Sequence, residues 1–359
     1  MKPENNIRFK KTAFMIGTVA LALAAGAAGA ALVVNELIGT LQLSSSVVPA
    51  PPPTRAAAKL DVTKVDLAAK GTVVLYKKKI GTSSLDKIFL PGDIVGGGAV
   101  LTSDGWIITS AAALANHGDL VAVFADKSSA AVPETGAVSD DATGLAFIKT
   151  DAHDEAVASF GDDTALAAAD PVFSVSPNAI VSASVLSQRT IPAQAKTDYV
   201  ESTEKLARRI IVDRDGLLGA AEVDASGEVI GFDMGDGTVV PASFVTGVLR
   251  DIFKEGRVVR PNMGAHYVSL DALPNAHDAG YASSGALITG GVKNRATEKG
   301  SAAETAGLKE GDVITFVEHD RINDEETLAE RLQDYAPGAK VTLTVLRAGK
   351  ETKVGLTLK

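Results

Sequence analysis

Between about Val65 and Gly256 the chain breaks into short apolar runs, and that spacing limits its fold more than any other feature. Thr72-Val73-Val74-Leu75-Tyr76, Ala99-Val100-Leu101-Thr102, Trp106-Ile107-Ile108-Thr109, Leu120-Val121-Ala122-Val123-Phe124, Leu145-Ala146-Phe147-Ile148 and Glu228-Val229-Ile230-Gly231-Phe232 are rich in β-branched residues and bounded by Gly, Asp or Asn. Runs of this length and composition read as strands. Many of them at short spacing predict an all-β barrel or sandwich. From Pro241 to Glu255 the period changes: Phe244, Val245, Val248, Leu249, Ile252 and Phe253 follow helical spacing, and Gly256 supplies a stop.

The remainder, residues 257–359, mixes both periods. Ser301 to Ala306 predicts a short helix stopped by Gly307. Asp324 to Tyr335 predicts a longer one, with Leu328 and Leu332 one turn apart on one face. Val341 to Leu346 and Thr352 to Leu358 alternate as strands joined at Ala348-Gly349. The chain contains no internal repeat.

The N-terminal part is of another kind. Residues 12–34 carry no charge and are mostly Ala, Leu, Val and Gly. As a helix such a run spans about 34 Å, enough to cross a hydrocarbon core of about 30 Å. Lys2, Arg8, Lys10 and Lys11 precede it, which keeps residues 1–11 cytoplasmic and sends the rest outward. Ala28-Gly29-Ala30 resembles a small-residue cleavage site, so a cleaved signal peptide is the alternative to an uncleaved transmembrane anchor. Either way the folded part is expected outside the cytoplasm, membrane-anchored in the first case and secreted or periplasmic in the second. Residues 35–64 form a Pro/Ser/Ala-rich linker, with Pro49 and Pro51-Pro52-Pro53 favouring an extended spacer.

Composition removes several function classes. A net charge of −9 argues against nucleic acid as a partner. With no cysteine, disulfides, thiolate catalysis and cysteine-based zinc sites are excluded. The five histidines, His117, His153, His266, His277 and His319, show no metal-ligand spacing, and neither metal nor cofactor is expected.

Two segments of the last hundred residues resemble a bacterial PDZ domain: Gly300-Ser301-Ala302-Ala303-Glu304-Thr305-Ala306-Gly307-Leu308-Lys309-Glu310-Gly311-Asp312-Val313-Ile314, and Val341 to Lys350. The middle of the chain resembles the HtrA/Deg family of trypsin-like serine proteases. Its matches, in order, are Gly96 to Thr109, Leu145 to Lys149, Phe160-Gly161-Asp162-Asp163 through Val172, and Gly227 to Phe232. The resemblance implies a mainly β molecule: a trypsin-like double β-barrel over residues 65–256 and a C-terminal α+β PDZ domain over 257–359, preceded by one transmembrane helix. It also implies that Gly96-Gly97-Gly98 is a family-type turn.

The family's activity needs a hydroxyl nucleophile, an imidazole base and a carboxylate that orients it. This sequence departs from the family at all three places. Ala112 stands at the base position, Gly144 at the carboxylate position and Leu218 at the nucleophile position, within Gly216-Leu217-Leu218-Gly219-Ala220-Ala221. The expectation is therefore a non-enzyme, with rescue by a displaced triad as the alternative; His117 lies five residues past Ala112. What remains is peptide binding. A PDZ domain adds an extended peptide to a sheet edge and receives its terminal carboxylate on loop N–H groups. The resemblance places that loop at Asn262, Met263, Gly264 and Ala265, with Leu328 and Leu332 lining the side-chain pocket; ordinary core packing is the other explanation for the two leucines. Implied partners are polypeptide C-termini or unfolded segments, the membrane through the N-terminal helix, and a homotrimer or a hetero-assembly with an active relative. A structural envelope protein with an unused groove is a third reading.

Overall fold

The computed structural model describes residues 60–79, 88–115, 119–133, 135–190, 200–273, 276, 281–291, 294–323 and 326–359. They belong to the second of two compact units, Ala58–Lys359. The expected span 12–34, nearly all of the linker, His117 and His277 lie outside the described residues. Among the described residues no helix is long and apolar enough to cross a membrane.

Asp61 caps helix α1 (Val62–Ala68) by accepting from the Lys64 N–H at 3.2 Å, so the last residues assigned to the linker are helical. Seven strands follow: β1 (Thr72–Lys77), β2 (Ile94–Val100), β3 (Trp106–Ser110), β4 (Leu120–Phe124), β5 (Ser129–Val132), β6 (Val138–Asp140) and β7 (Leu145–Lys149). They form one antiparallel sheet in the order β5-β4-β1-β2-β3-β7-β6. Alternation assigns its two faces. Ile107 and Ile148 join Val73, Leu75 and Phe124 in the lobe's own core. Their neighbours Ile108 and Phe147 face the second lobe.

The second lobe is a closed six-stranded barrel, ordered β11-β14-β13-β12-β8-β9. Its strands are β8 (Pro171–Ser176), β9 (Ala179–Thr190), β11 (Arg208–Val212), β12 (Ala221–Val223), β13 (Val229–Asp233) and β14 (Thr238–Pro241); the short β10 (Glu201–Ser202) leaves this barrel for another sheet. Phe173, Val175, Phe232 and Val240 meet Ile108 and Phe147 in a shared core. Burying each such side chain contributes about 1.5–3 kcal/mol.

Two expectations need correction. Gly96, Gly97 and Gly98 are not a turn but the middle of β2, paired with β1. Their lack of side chains answers to packing: a Cβ on Gly96 would lie 2.7 Å from the Leu218 carbonyl oxygen, one on Gly97 3.0 Å from the Ala220 Cα, and one on Gly98 would collide with the Ile108 carbonyl. The helix expected from Pro241 to Glu255 is two helices. Pro241 still belongs to β14, and α3 (Ser243–Thr246) is separated from α4 (Leu249–Glu255) by Gly247 and Val248. The stop at Gly256 holds, in the left-handed conformation.

The C-terminal module contains β15 (His266–Ser269), β16 (Ala286–Ile288), α5 (Ala302–Thr305), β17 (Val313–Val317), β18 (Asp320–Arg321), α6 (Leu328–Leu332), β19 (Lys340–Arg347) and β20 (Lys350–Thr357). Helix α6 is shorter than its apolar pattern indicated, because Thr327 caps it and accepts from the Glu330 N–H. The sheet runs β10-β15-β16-β17-β19-β20, with β18 beside β17. Its edge strand β10 therefore comes from the barrel region, across the boundary expected at residue 257. Ion pairs tie the module to the barrels. Arg260 grips the buried Asp140 through two contacts at 3.1 and 2.6 Å, and Arg208 on β11 reaches Glu330 on α6 at 3.1 Å.

Candidate functional site

The three positions where the resemblance seeks a triad come together at the seam between the lobes. Ala112 lies on helix α2 (Ala111–Leu114), which Ser110 caps. The Ala111 N–H donates to the Gly144 carbonyl at 2.9 Å, setting α2 against the turn that ends at Gly144. The Gly97 N–H donates to the Leu218 carbonyl at 2.8 Å, and Leu218 packs on the core that contains Ala113. The Thr109 hydroxyl is buried and donates to the Gly97 carbonyl at 2.7 Å. The side chains brought to this meeting point are a methyl group, a hydrogen and an isobutyl group. Of the described histidines, His153 and His319 lie on exposed loops and His266 lies in β15.

The second candidate site is the edge of β15 with the loop before it. Four N–H groups of that loop were expected to receive a carboxylate, and the structure distributes them unequally. Met263 and Gly264 donate to one carboxylate oxygen, Oε1 of Glu204, at 3.2 and 2.8 Å. The Ala265 N–H donates to the Thr203 hydroxyl at 3.1 Å. The Asn262 backbone N–H is committed elsewhere: it donates to the Lys359 carbonyl at 2.8 Å and closes the module's C-terminal end, which leaves only the side-chain amide of Asn262 as a donor toward a ligand. Gly264 adopts φ +71°, and a Cβ there would collide with Ser301. Leu328 and Leu332 share one core with Met263 and Tyr267, all fully buried. Beside the loop, Glu201 pairs with Tyr267 and Ser202 with His266 in antiparallel register. Burial raises the Glu201 carboxyl above its usual range, and burial together with the Glu201 charge raises the Tyr267 hydroxyl well above its own.

Known proteins agree with this architecture. A PDZ domain family profile matches residues 261–358. The chain is 27% identical over 318 residues to "Serine protease Do-like HtrA" of Lactobacillus helveticus, across 81% of this chain and 76% of that protein. It is 28% identical over 280 residues to "Probable periplasmic serine endoprotease DegP-like" of Bartonella henselae, across 73% of this chain and 52% of that protein, so it spans about half the length of that relative. Among solved structures, "HtrA-type protease AlgW with decapeptide" superposes with a TM-score of 0.58 at 18% identity, over 82% of this chain and 97% of that one. The chain carries a PDZ domain and is similar to HtrA/Deg serine proteases.

Directly behind the HtrA-like loop 216–221 sits an ionic cluster that sequence reasoning missed. The Gly219 N–H donates to the Asp233 carbonyl at 2.7 Å, and a Cβ on Gly216 would collide with the Asp233 carboxylate. Asp233 and Glu222 are both fully buried. Among the described residues Arg214 alone pairs with them, donating to Glu222 at 2.7 Å and lying 3.5 Å from Asp233. Two carboxylates against one guanidinium cannot both ionise cheaply in a dry site. Burial pushes the Glu222 carboxyl up to about 8, with the neighbouring Asp233 adding to the rise and Arg214 opposing it. Asp233 is raised as well, again chiefly by burial. The signal was a carboxylate inside an apolar strand, Ala221-Glu222-Val223, which period-2 reading passes over.

An acid whose folded value lies above its unfolded value of 4.5 keeps a proton that the unfolded chain gives up. The stability it contributes is complete below that value and is lost as pH rises through about 8. Glu222→Gln should therefore raise the thermal midpoint at pH 9 by about 2–4 °C relative to the parent and change it little at pH 5. Calorimetry at both values checks this; equal shifts at the two would contradict it.

Proposed function

We propose that this chain is a membrane-anchored HtrA-like pseudoprotease, an extracytoplasmic scaffold or sensor that binds polypeptide C-termini or unfolded segments through its PDZ groove. One observation carries the binding half. Two N–H groups of the Met263-Gly264 loop converge on a carboxylate while the adjacent strand β15 accepts an added antiparallel strand. Those are the two contacts by which a sheet edge captures an extended peptide and its terminus. The extracytoplasmic location is supported by the periplasmic designation of the Bartonella henselae relative and by the charge pattern around residues 12–34.

The catalytic half follows from chemistry. Acyl transfer requires a nucleophile, a proton acceptor and a group that orients the acceptor. Ala112, Gly144 and Leu218 provide none of the three. Without them, residual acceleration falls to about 10³–10⁴ over water. A second reading, an active endopeptidase in envelope protein quality control with a displaced triad, is favoured by the names of the relatives, which are serine proteases.

A fluorophosphonate active-site probe separates the two readings. The full chain should label no more than its heat-denatured control; stoichiometric labelling abolished by denaturation would establish the second. For binding, a random peptide library with free C-termini, captured on the intact chain, should be enriched over the same library amidated at its C-termini. Equal recovery of the two would contradict carboxylate recognition.

A further inference from the structure

The PDZ groove of this chain is already filled, by the chain itself. We infer that the segment from Val200 to Glu204 is a built-in competitor that occupies the groove as a mimic of a peptide C-terminus. A free polypeptide end must displace it in order to bind. The inference rests on the reading of the groove as a peptide site and adds how that site is regulated.

Three observations make the mimicry specific. First, the segment enters as a strand: Glu201 lies opposite Tyr267 and Ser202 opposite His266, antiparallel to β15. Second, its last backbone link to the edge is reciprocal. The Thr203 N–H donates to the Ala265 carbonyl at 3.0 Å while the Ala265 N–H donates to the Thr203 hydroxyl at 3.1 Å. Thr203, fully buried, thus stands as the final residue of the added strand. Third, the next group along is a carboxylate, and it sits on the Met263 and Gly264 N–H groups where a terminal α-carboxylate would sit. The Ser202 hydroxyl donates to the other oxygen of the Glu204 carboxylate at 2.7 Å and holds the side chain in that pose.

The occupant is also tethered. One residue past Lys205, whose ammonium contacts the Asp141 carbonyl, Leu206 is buried in the core between the lobes and its N–H donates to the Ala142 carbonyl at 2.9 Å. With the anchor two residues from Glu204, the segment competes at a high effective concentration. An external peptide then sees only the fraction of molecules whose groove is open, and its apparent affinity falls by that fraction. The anchor lies on the turn that ends at Gly144, so emptying or filling the groove acts on the same turn that packs against α2.

The chain has no cysteine, so an engineered pair reports on this contact alone. Ser202 and His266 are the closely spaced kind of antiparallel pair, because the His266 N–H and carbonyl are both bonded on the opposite side, to Ala296 and Thr289. In the full chain carrying Ser202→Cys and His266→Cys, a disulfide should form on mild oxidation. The probe is a fluorescein-labelled peptide ending in the sequence of Val200 to Thr203 with a free α-carboxylate. It should bind the reduced double variant and not the oxidised one. It should also bind Glu204→Gln about tenfold or more tightly than the parent, since that change frees the loop's donors. Failure of the disulfide to form, or equal binding to parent, Glu204→Gln and oxidised protein, would overturn the competitor while leaving a peptide-binding groove. A disulfide that forms in a protein whose Glu204→Gln variant binds no peptide would instead overturn the peptide-binding reading, and the competitor with it.

Discussion

The outer edge of β15 presents backbone N–H and carbonyl groups that must be bonded to something: water, another chain or this one. Here β10 bonds them, and the arrangement of the described chain follows from that. Because β10 leaves the barrel to reach β15, the PDZ module is fastened to the barrel through the edge proposed to bind peptide. Arg208 with Glu330 and Arg260 with Asp140 secure the same face. Arg208 and Asp140 lie on the barrel side, Glu330 and Arg260 on the PDZ side, so the contact is held by crossed charges as well as by a shared sheet.

The seam between the lobes shows a complementary economy. Loop 216–221 approaches β2 so closely that Gly96 and Gly97 have no room for a side chain, while Gly98 is excluded from carrying one by the Ile108 carbonyl of β3. Leu218 packs on the core that contains Ala113, and the loop also lies against the Thr109 hydroxyl and the buried Asp233 carboxylate, which Arg214 and Glu222 accompany. On the proposed reading, a fold that positions reactive groups in its relatives here positions a strand and a carboxylate.

Much of this was legible in the chain. Short apolar runs located β1, β3, β4, β7 and β13, because successive residues such as Ile107 and Ile108 answer to two different cores. Ala348 and Gly349, both at positive φ, close the β19–β20 hairpin at the place where the turn signal stood. The failures share one cause, contacts distant in sequence. Gly96 and Gly97 carry little strand propensity, and the reason for them is a loop about 120 residues further on, at Leu218 and Ala220. Strand β10 is two residues long and exists only because β15 lies beside it. Glu204 reads as an ordinary surface acid until its carboxylate is seen on the Met263 and Gly264 amides. Asn262 was assigned to the carboxylate loop because the resemblance ends at the motif and does not register that Lys359 already takes its N–H.

The most direct measurement is amide hydrogen exchange at Met263 and Gly264 in the intact chain with no peptide added. If the chain's own carboxylate holds those donors, both amides exchange slowly, at rates comparable to the paired amides of β16, and they become fast in Glu204→Ala. Exchange at the rate of an exposed loop in the unaltered protein would mean that the groove stands open, and would contradict the account.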